Sequence, residues 1–170
     1  MTKLQALKLL VLDVDGVLTD GTFYLGGHGD TEIKAFHARD GAGIALWRDA
    51  GYRVTFLTGR SGLAVERRAR ELRIPRYWEG VADKVSAFGE ILKHFKVTAD
   101  QVAVMGDDIL DLGILKLSGL SACPSDAARD VLERVDLVMP SAGGHGAVRD
   151  FVEHILRERG EWDSLVERLC

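Results

Sequence analysis

The sequence contains few cysteines and no excess of basic residues. Only two of its 170 residues are cysteine, Cys123 and Cys170, too few for a disulfide framework or a cysteine-rich zinc site. Its 26 acidic residues outnumber the 22 basic ones, so we expect no nucleic-acid partner. The five histidines show no metal-ligand spacing. These deficits exclude disulfide-rich, zinc-ribbon and nucleic-acid-binding classes.

The chain also lacks a long hydrophobic run. Its first apolar segment, residues 9–12, lies between Lys8 and Asp13 and is too short for a signal-peptide core or a membrane span. The composition, 46% hydrophobic and 28% charged, is that of an ordinary globular protein. We therefore predict one domain over residues 1–170, located in the cytoplasm and without a membrane partner.

Short β-branched runs alternate with segments of helical periodicity, which is typical of an α/β domain with a mostly parallel sheet. The strongest strand candidates are residues 9–12, 54–57 and 102–105, and the weaker ones are 76–78, 120–122 and 137–138. The predicted helices are 43–49, 62–72, 83–95, 108–117, 126–134 and 147–157. This pattern predicts a Rossmann-like three-layer sandwich.

One segment interrupts the alternation. Residues 21–36 contain two strand-like stretches on either side of a Gly-Gly-His-Gly turn that includes His28, which predicts an inserted β-hairpin. The hairpin follows the first strand directly and lies next to the richest cluster of carboxylates. We therefore interpret it as a functional flap.

Unusual polar residues follow the three apolar strands, where ligands bind in open α/β sheets. They are Asp13 and Asp15, then Thr58, Gly59 and Arg60, then Asp107, Asp108 and Asp111, with Lys84 opening an intervening helix. Closely packed carboxylates repel one another and need a cation, and oxygen ligands suit Mg²⁺. Mg²⁺ together with a lysine and a threonine indicates a site for a phosphoryl group.

Nucleotide-loop chemistry is not expected, because neither a Walker-type loop nor Gly-x-Gly-x-x-Gly follows the first strand. No Ser-His or Cys-His pairing is visible at the strand ends. The nucleophile is therefore expected to be a carboxylate.

In order along the chain, Asp13-Val-Asp-Gly-Val, Thr58-Gly-Arg, Lys84 and Gly106-Asp-Asp-x-x-Asp resemble the four motifs of the haloacid dehalogenase superfamily of phosphatases. Segments 13–20, 34–44 and 143–150 resemble the narrower family of 3-deoxy-D-manno-octulosonate 8-phosphate phosphatases. The resemblance covers roughly residues 9–156. It implies a Mg²⁺-dependent phosphomonoesterase that releases phosphate from this sugar acid during lipopolysaccharide precursor synthesis.

The resemblance also implies a role for each matching residue. Asp13 would be the nucleophile that becomes phosphoaspartate, and Asp15 would be the general acid and then the general base. Mg²⁺ would be held by Asp13, the Asp15 backbone carbonyl and Asp107. The phosphoryl-binding residues would be Thr58, Gly59 and Lys84, with Asp108 and Asp111 orienting Lys84 and the metal-bound waters.

Three further residues are candidates for substrate binding. Arg60 begins a helix, where a cation gains nothing from the helix dipole, so a binding role is expected. Arg39 is expected to serve the substrate or the flap. His145 is expected to face the sugar, although many family members have an arginine there.

Asp40 is either a turn residue or a functional one, and the arginines of residues 66–73 are expected on an exposed helix face.

Alternatives remain at this point. One is a phosphatase for another nonulosonate phosphate, such as a sialic-acid-type 9-phosphate, and another is a non-catalytic or receiver-like regulatory domain.

Asp15 and Thr58 are 43 positions apart, and Thr58 and Lys84 are 26 apart, which leaves no room for a cap domain. Since phosphoryl transfer benefits from excluding water, we predict a homo-oligomer, a tetramer by the resemblance, whose subunits share active sites.

Overall fold

The structure is a computed structural model that describes residues 3–26 and 32–168. Its strands are β1 (Leu9–Leu12), β2 (Tyr24–Leu25), β3 (Glu32–Ile33), β4 (Arg53–Phe56), β5 (Val102–Met105), β6 (Leu120–Cys123) and β7 (Leu137–Val138). Its helices are α1 (Ala38–Asp49), α2 (Leu63–Glu71), α3 (Lys84–Phe95), α4 (Leu112–Leu117), α5 (Arg129–Leu132), α6 (Ala147–Glu158) and α7 (Trp162–Glu167). The predicted α/β class is confirmed.

Five strands form one parallel sheet in the order β4-β1-β5-β6-β7. The register pairs Leu12 of β1 with Phe56 of β4 on one side and with Met105 of β5 on the other. The residues that follow these three positions therefore emerge side by side at one edge of the sheet. This register explains why polar residues far apart in sequence share one site.

Alternate side chains of β1 enter different cores, as expected of a central strand covered on both faces. Leu10 and Leu12 pack with apolar residues of α1, α2, α6 and α7. Leu9 and Val11 pack with those of α3, α4 and α5. The molecule therefore has three layers, helices on both sides of the sheet, as predicted.

Several element boundaries differ from the predicted ones. The predicted strand at residues 76–78 is reduced to a single parallel bridge between Trp78 and Leu57. α1 begins at Ala38, five residues early, because the His37 side chain accepts the Arg39 N–H and caps the helix. The helix predicted from Asp108 opens with a 3₁₀ turn before α4. α5 is shorter than predicted, and α7 was missed.

The predicted hairpin is present as the antiparallel pair β2–β3, in which Tyr24 is opposite Ile33 and Leu25 is opposite Glu32. Its predicted turn, including His28, lies outside the described residues, as does Cys170. Tyr24, Leu25 and Ile33 are 65%, 75% and 61% exposed. The hairpin therefore presents apolar side chains to solvent in the single chain.

Candidate active site

Three carboxylates converge where β1 and β5 end. Oxygen atoms of Asp13, Asp107 and Asp111 all lie within 4.8 Å of one another. Asp111 is fully buried, and its Oδ2 accepts the backbone N–H groups of Asp107 and Asp108. The 3₁₀ turn thus folds Asp111 back onto the strand end, so the cluster is built by local backbone geometry.

Lys84 places a positive charge inside this cluster. It is the first residue of α3, whose start is fixed because the Asp83 carboxylate accepts the N–H groups of Val85 and Ser86. Its Nζ lies 3.1 Å from Asp13 Oδ1 and 2.6 Å from Asp111 Oδ1. One buried ammonium therefore serves two of the three carboxylates.

Burial and the neighbouring charges shift the pKa values of Asp13, Asp107 and Lys84. Burial raises the pKa of Asp13 to about 7, and Asp111 adds to this rise against the opposing effect of Lys84. Burial and the charge of Asp13 raise the pKa of Asp107 to about 8. Burial alone would lower the pKa of Lys84, but the carboxylates of Asp13 and Asp111 outweigh it and raise that pKa. The three carboxyl groups share one ammonium, and the raised pKa values of Asp13 and Asp107 reflect their burial and their mutual repulsion.

Two glycines allow the acidic loops to approach this closely. A Cβ on Gly16 would lie 2.0 Å from Asp107 Oδ2, and its φ of +85° also favours glycine. A Cβ on Gly106 would lie 2.6 Å from Asp111 Cγ. Any other residue at either position would push a carboxylate out of the cluster.

Thr58 enters the site from the neighbouring strand end. It is fully buried, its N–H donates to the Trp78 carbonyl at 2.9 Å, and its Oγ1 accepts the Arg60 N–H at 3.3 Å. Beside it lies a cavity of about 220 Å³. The cavity is lined by the predicted residues Asp13, Asp15, Thr58, Gly59, Arg60, Lys84, Asp107, Asp108 and Asp111. The fold therefore brings nearly all the predicted site residues to one place.

The described lining of this cavity includes neither Arg39 nor His145. Arg39 is exposed in the first turn of α1. His145 is exposed just before α6, with its Nδ1 2.8 Å from the Gly143 carbonyl oxygen. Asp108 lines the cavity, but its carboxylate accepts the Ile109 N–H. Among the described contacts, Lys84 is held by Asp111 and not by Asp108.

Sequence reasoning missed a second charged network at the same site. The buried Lys34 ammonium pairs with Asp15 Oδ1 and lies 2.8 Å from Glu32 Oε1. Glu32 also accepts from the Arg60 guanidinium, whose Nε lies 3.1 Å away. The signal was a lysine two residues after a glutamate, directly after β3, because this spacing puts both side chains on the same side of an extended chain.

Two other residues have structural roles that the sequence did not show. Asp40 is fully buried, and its carboxylate accepts the N–H groups of Gly146 and Arg149 at the start of α6. Arg68, expected on an exposed face, is only 8% exposed and donates to the His37 carbonyl and to Glu71. Its guanidinium also lies 5.3 Å from the centre of the Phe36 ring, so this arginine packs against its own chain and does not extend into solvent.

Residues 78–151 match the family of haloacid dehalogenase-like hydrolases, and this fold with its acidic strand ends places the chain in that class. The chain is 39% identical over 164 residues to the 3-deoxy-D-manno-octulosonate 8-phosphate phosphatase of Salmonella typhi, covering 96% of this chain and 87% of the relative. The chain belongs to the family of 3-deoxy-D-manno-octulosonate 8-phosphate phosphatases.

Solved structures of relatives agree with this assignment. The cobalt-bound phosphatase from Haemophilus influenzae has a TM-score of 0.89 and 39% identity, covering 94% of this chain and 92% of the other. The Moraxella catarrhalis phosphatase, in complex with magnesium, phosphate and KDO, has a TM-score of 0.94 and 32% identity, covering 99% and 96%. In the described part of this chain, every helix is too short or too polar to cross a membrane.

Proposed function

We propose that this enzyme hydrolyses 3-deoxy-D-manno-octulosonate 8-phosphate to the free sugar acid and phosphate. The observation that carries this proposal is the convergence of Asp13, Lys84, Asp107 and Asp111 at the carboxyl ends of two parallel strands. The relatives that share this fold carry that substrate in their names. Supply of the sugar acid for lipopolysaccharide follows from this activity.

In the proposed reaction, a carboxylate oxygen of Asp13 attacks phosphorus and forms a phosphoaspartate. Asp15 gives a proton to the departing sugar alkoxide, then takes one from the water that attacks the same phosphorus. Both residues follow β1, two positions apart, and both line the cavity. One strand end therefore supplies the nucleophile and the acid/base group to a single reacting centre.

The acidic cluster suits a divalent cation. Asp107 Oδ1 is buried and has no hydrogen-bond partner among the described residues, as expected of an oxygen reserved for a ligand. Asp13, the Asp15 backbone carbonyl and Asp107 would hold Mg²⁺, the ion in the Moraxella catarrhalis complex. When bound, Mg²⁺ would offset charge on the phosphoryl oxygens and lower the repulsion between Asp13 and the substrate.

The remaining residues around the cavity would position the phosphoryl group. The Thr58 hydroxyl, the Gly59 backbone and the Lys84 ammonium are the proposed phosphoryl ligands, because a buried ammonium and N–H donors stabilise developing negative charge. Asp111 orients Lys84 directly, through a 2.6 Å contact. Asp108, more exposed, would order the metal-bound waters. All of these residues line the same cavity, which supports the proposal.

Substrate recognition is proposed for Arg60, Arg39 and His145. Arg60 lines the cavity, and its guanidinium lies 4.0 Å above the Phe23 ring, which holds it at the entrance. Arg39 and His145 lie on surfaces outside the described cavity lining. For these two residues, a contact with the sugar requires a long substrate or a neighbouring subunit.

We further propose that the chain is one domain, acts in the cytoplasm and forms a homotetramer with shared active sites. A phosphorylated sugar acid is highly charged and would not cross a membrane unaided, which favours the compartment where it is made. An isolated two-stranded hairpin is marginally stable, and exposed apolar residues at Tyr24, Leu25 and Ile33 favour burial against another subunit. Such pairing would also cover an otherwise open site.

A phosphate-release screen tests the proposed reaction. The enzyme would be assayed with 3-deoxy-D-manno-octulosonate 8-phosphate, a nonulosonate 9-phosphate and simple sugar phosphates, each with and without Mg²⁺. We expect the highest kcat/KM with the octulosonate ester, and activity only when Mg²⁺ is present. Preference for the nonulosonate ester would replace the proposed substrate, and absence of phosphate release from every ester would contradict phosphatase function.

A further inference from the structure

A row of alternating charges connects the hairpin to Asp15. Lys34 pairs with Asp15 and with Glu32, and Glu32 pairs with Arg60. The Lys34 side chain is fully buried, whereas the side chain of Asp15 is 20% exposed and lines the cavity. Two negative and two positive groups leave the row neutral. Lys34 is the one member that joins the hairpin to the group proposed to transfer protons.

Contacts with Asp15, Glu32 and the Phe23 ring hold the Lys34 side chain in place. The Lys34 side chain is fully buried and the Glu32 side chain is 11% exposed, whereas Ile33 between them is 61% exposed, so Glu32 and Lys34 both face the protein. The Phe23 ring lies 5.4 Å from the Lys34 ammonium and 4.0 Å from the Arg60 guanidinium. Two carboxylates and an aromatic ring thus constrain the ammonium, and a constrained ammonium can fix the carboxylate that it binds.

We propose that Lys34 is a positioning residue that orients the Asp15 carboxyl group for proton transfer. This inference rests on the proposed function, in which Asp15 is the acid and base. The ion pair engages Asp15 Oδ1. Oδ2 then carries the proton to the leaving oxygen as the P–O bond to the sugar breaks and the bond to Asp13 forms. The same atom afterwards accepts a proton from the attacking water as Asp13 is released.

Leaving-group dependence distinguishes this role from a merely structural one. A primary alkyl phosphate needs a proton on its departing oxygen, whereas dinitrophenyl phosphate has a stable leaving group and needs little acid assistance. The parameter kcat/KM covers only the steps up to departure of that group. We expect Lys34→Met to lower kcat/KM about 100-fold for the alkyl ester and less than about threefold for the dinitrophenyl ester.

Three variants complete the experiment. Lys93→Met removes an exposed lysine of α3 and should leave both esters unaffected. Lys34→Arg keeps the positive charge and should restore most of the alkyl-ester activity. In an Asp15→Asn background, Lys34→Met should cause no further loss, because the group that it positions is already absent. If Lys34→Met does not fold, Lys34→Gln provides the same comparison.

Equal losses for both esters, no loss for either, or a further loss in the Asp15→Asn background would each overturn the role of Lys34. Failure of the proposed function is separately visible. It would appear as wild-type enzyme that hydrolyses neither ester with Mg²⁺ present, and the assignment of Lys34 would fall with it.

Discussion

Asp13 and Asp107 have strongly raised pKa values, about 7 and about 8, because Asp13 is buried, Asp107 is partly buried, and both lie beside other carboxylates. An unfolded aspartate has a pKa near 3.8. Between about pH 4 and pH 8 the folded, metal-free protein therefore binds more protons than the unfolded chain. Its stability should fall as pH rises through that window. A divalent cation that replaces the protons should reverse this loss.

The effect of Mg²⁺ on stability should accordingly grow with pH. At pH 8 and a Mg²⁺ concentration about 100 times Kd, binding contributes about 2.7 kcal/mol, or roughly 5–10 °C in Tm. At pH 5.5 protons compete for the same oxygens, so the shift should be much smaller. Thermal unfolding with Mg²⁺ and with EDTA at both pH values measures it. A shift that is equal at both, or that persists in Asp107→Asn, would contradict a metal site at these carboxylates.

At the scale of elements, a buried carboxylate of α1 holds the start of α6. Asp40 accepts the N–H groups of Gly146 and Arg149, at 3.2 and 3.0 Å, and so acts as a remote cap for α6. The backbones of α1 and α6 also approach each other closely at Gly43, where a Cβ would lie 2.9 Å from Arg149 Cα. This junction holds the loop before α6, which includes His145, against the rest of the core.

Removing the cap should therefore destabilise the protein. We expect Asp40→Ala to lower the free energy of unfolding by about 2–4 kcal/mol, because two buried N–H donors lose their acceptor. Asp40→Asn keeps one acceptor and should lose less. Urea unfolding measures both, with exposed Asp49 at the other end of α1 as the control position for Asp→Ala. A loss below about 0.5 kcal/mol for Asp40→Ala would show that the cap is dispensable.

The sequence predicts features that depend on neighbouring residues better than contacts between residues that are far apart in the chain. The apolar runs of β1 and β5 and the glycines after them identify the acidic strand ends, because parallel register is regular. Asp40 could not be predicted, since its partners lie more than 100 residues away. Lys34, which directly follows β3, was missed because lysine is usually exposed. Arg68, on α2, was misjudged because arginine is usually exposed too.

At the scale of the whole molecule, the hairpin presents exposed apolar residues, and residues 3–26 and 32–168 contain no cap domain that would cover them. The Phe23 ring, also in the hairpin segment, lies 4.0 Å from the Arg60 guanidinium and 5.4 Å from the Lys34 ammonium of its own chain. Tyr24, Leu25 and Ile33 remain as the exposed set. If the proposed tetramer forms, these side chains should lie in its interfaces.

Changing Leu25 tests the assembly. We expect wild-type protein to have a mass well above the 18.6 kDa of one chain by light scattering. Leu25→Asp should shift it toward monomer and lower activity, because burial of a charge in an apolar contact is unfavourable. Leu117→Asp, an exposed leucine on α4, is the matched control and should change neither. A fully active wild-type monomer would contradict the shared-site arrangement.

In the proposed mechanism, Asp13 becomes phosphorylated during turnover. The most direct measurement uses Asp15→Asn, which cannot activate water and should retain the intermediate, with dinitrophenyl phosphate and Mg²⁺ as the phosphoryl source. After acid quenching, peptide mass spectrometry should find one added phosphoryl group on Asp13, and Asp13→Asn should show none. Release of dinitrophenol with no phosphoryl group on Asp13, or with the group on another residue, would contradict a phosphoaspartate intermediate at Asp13.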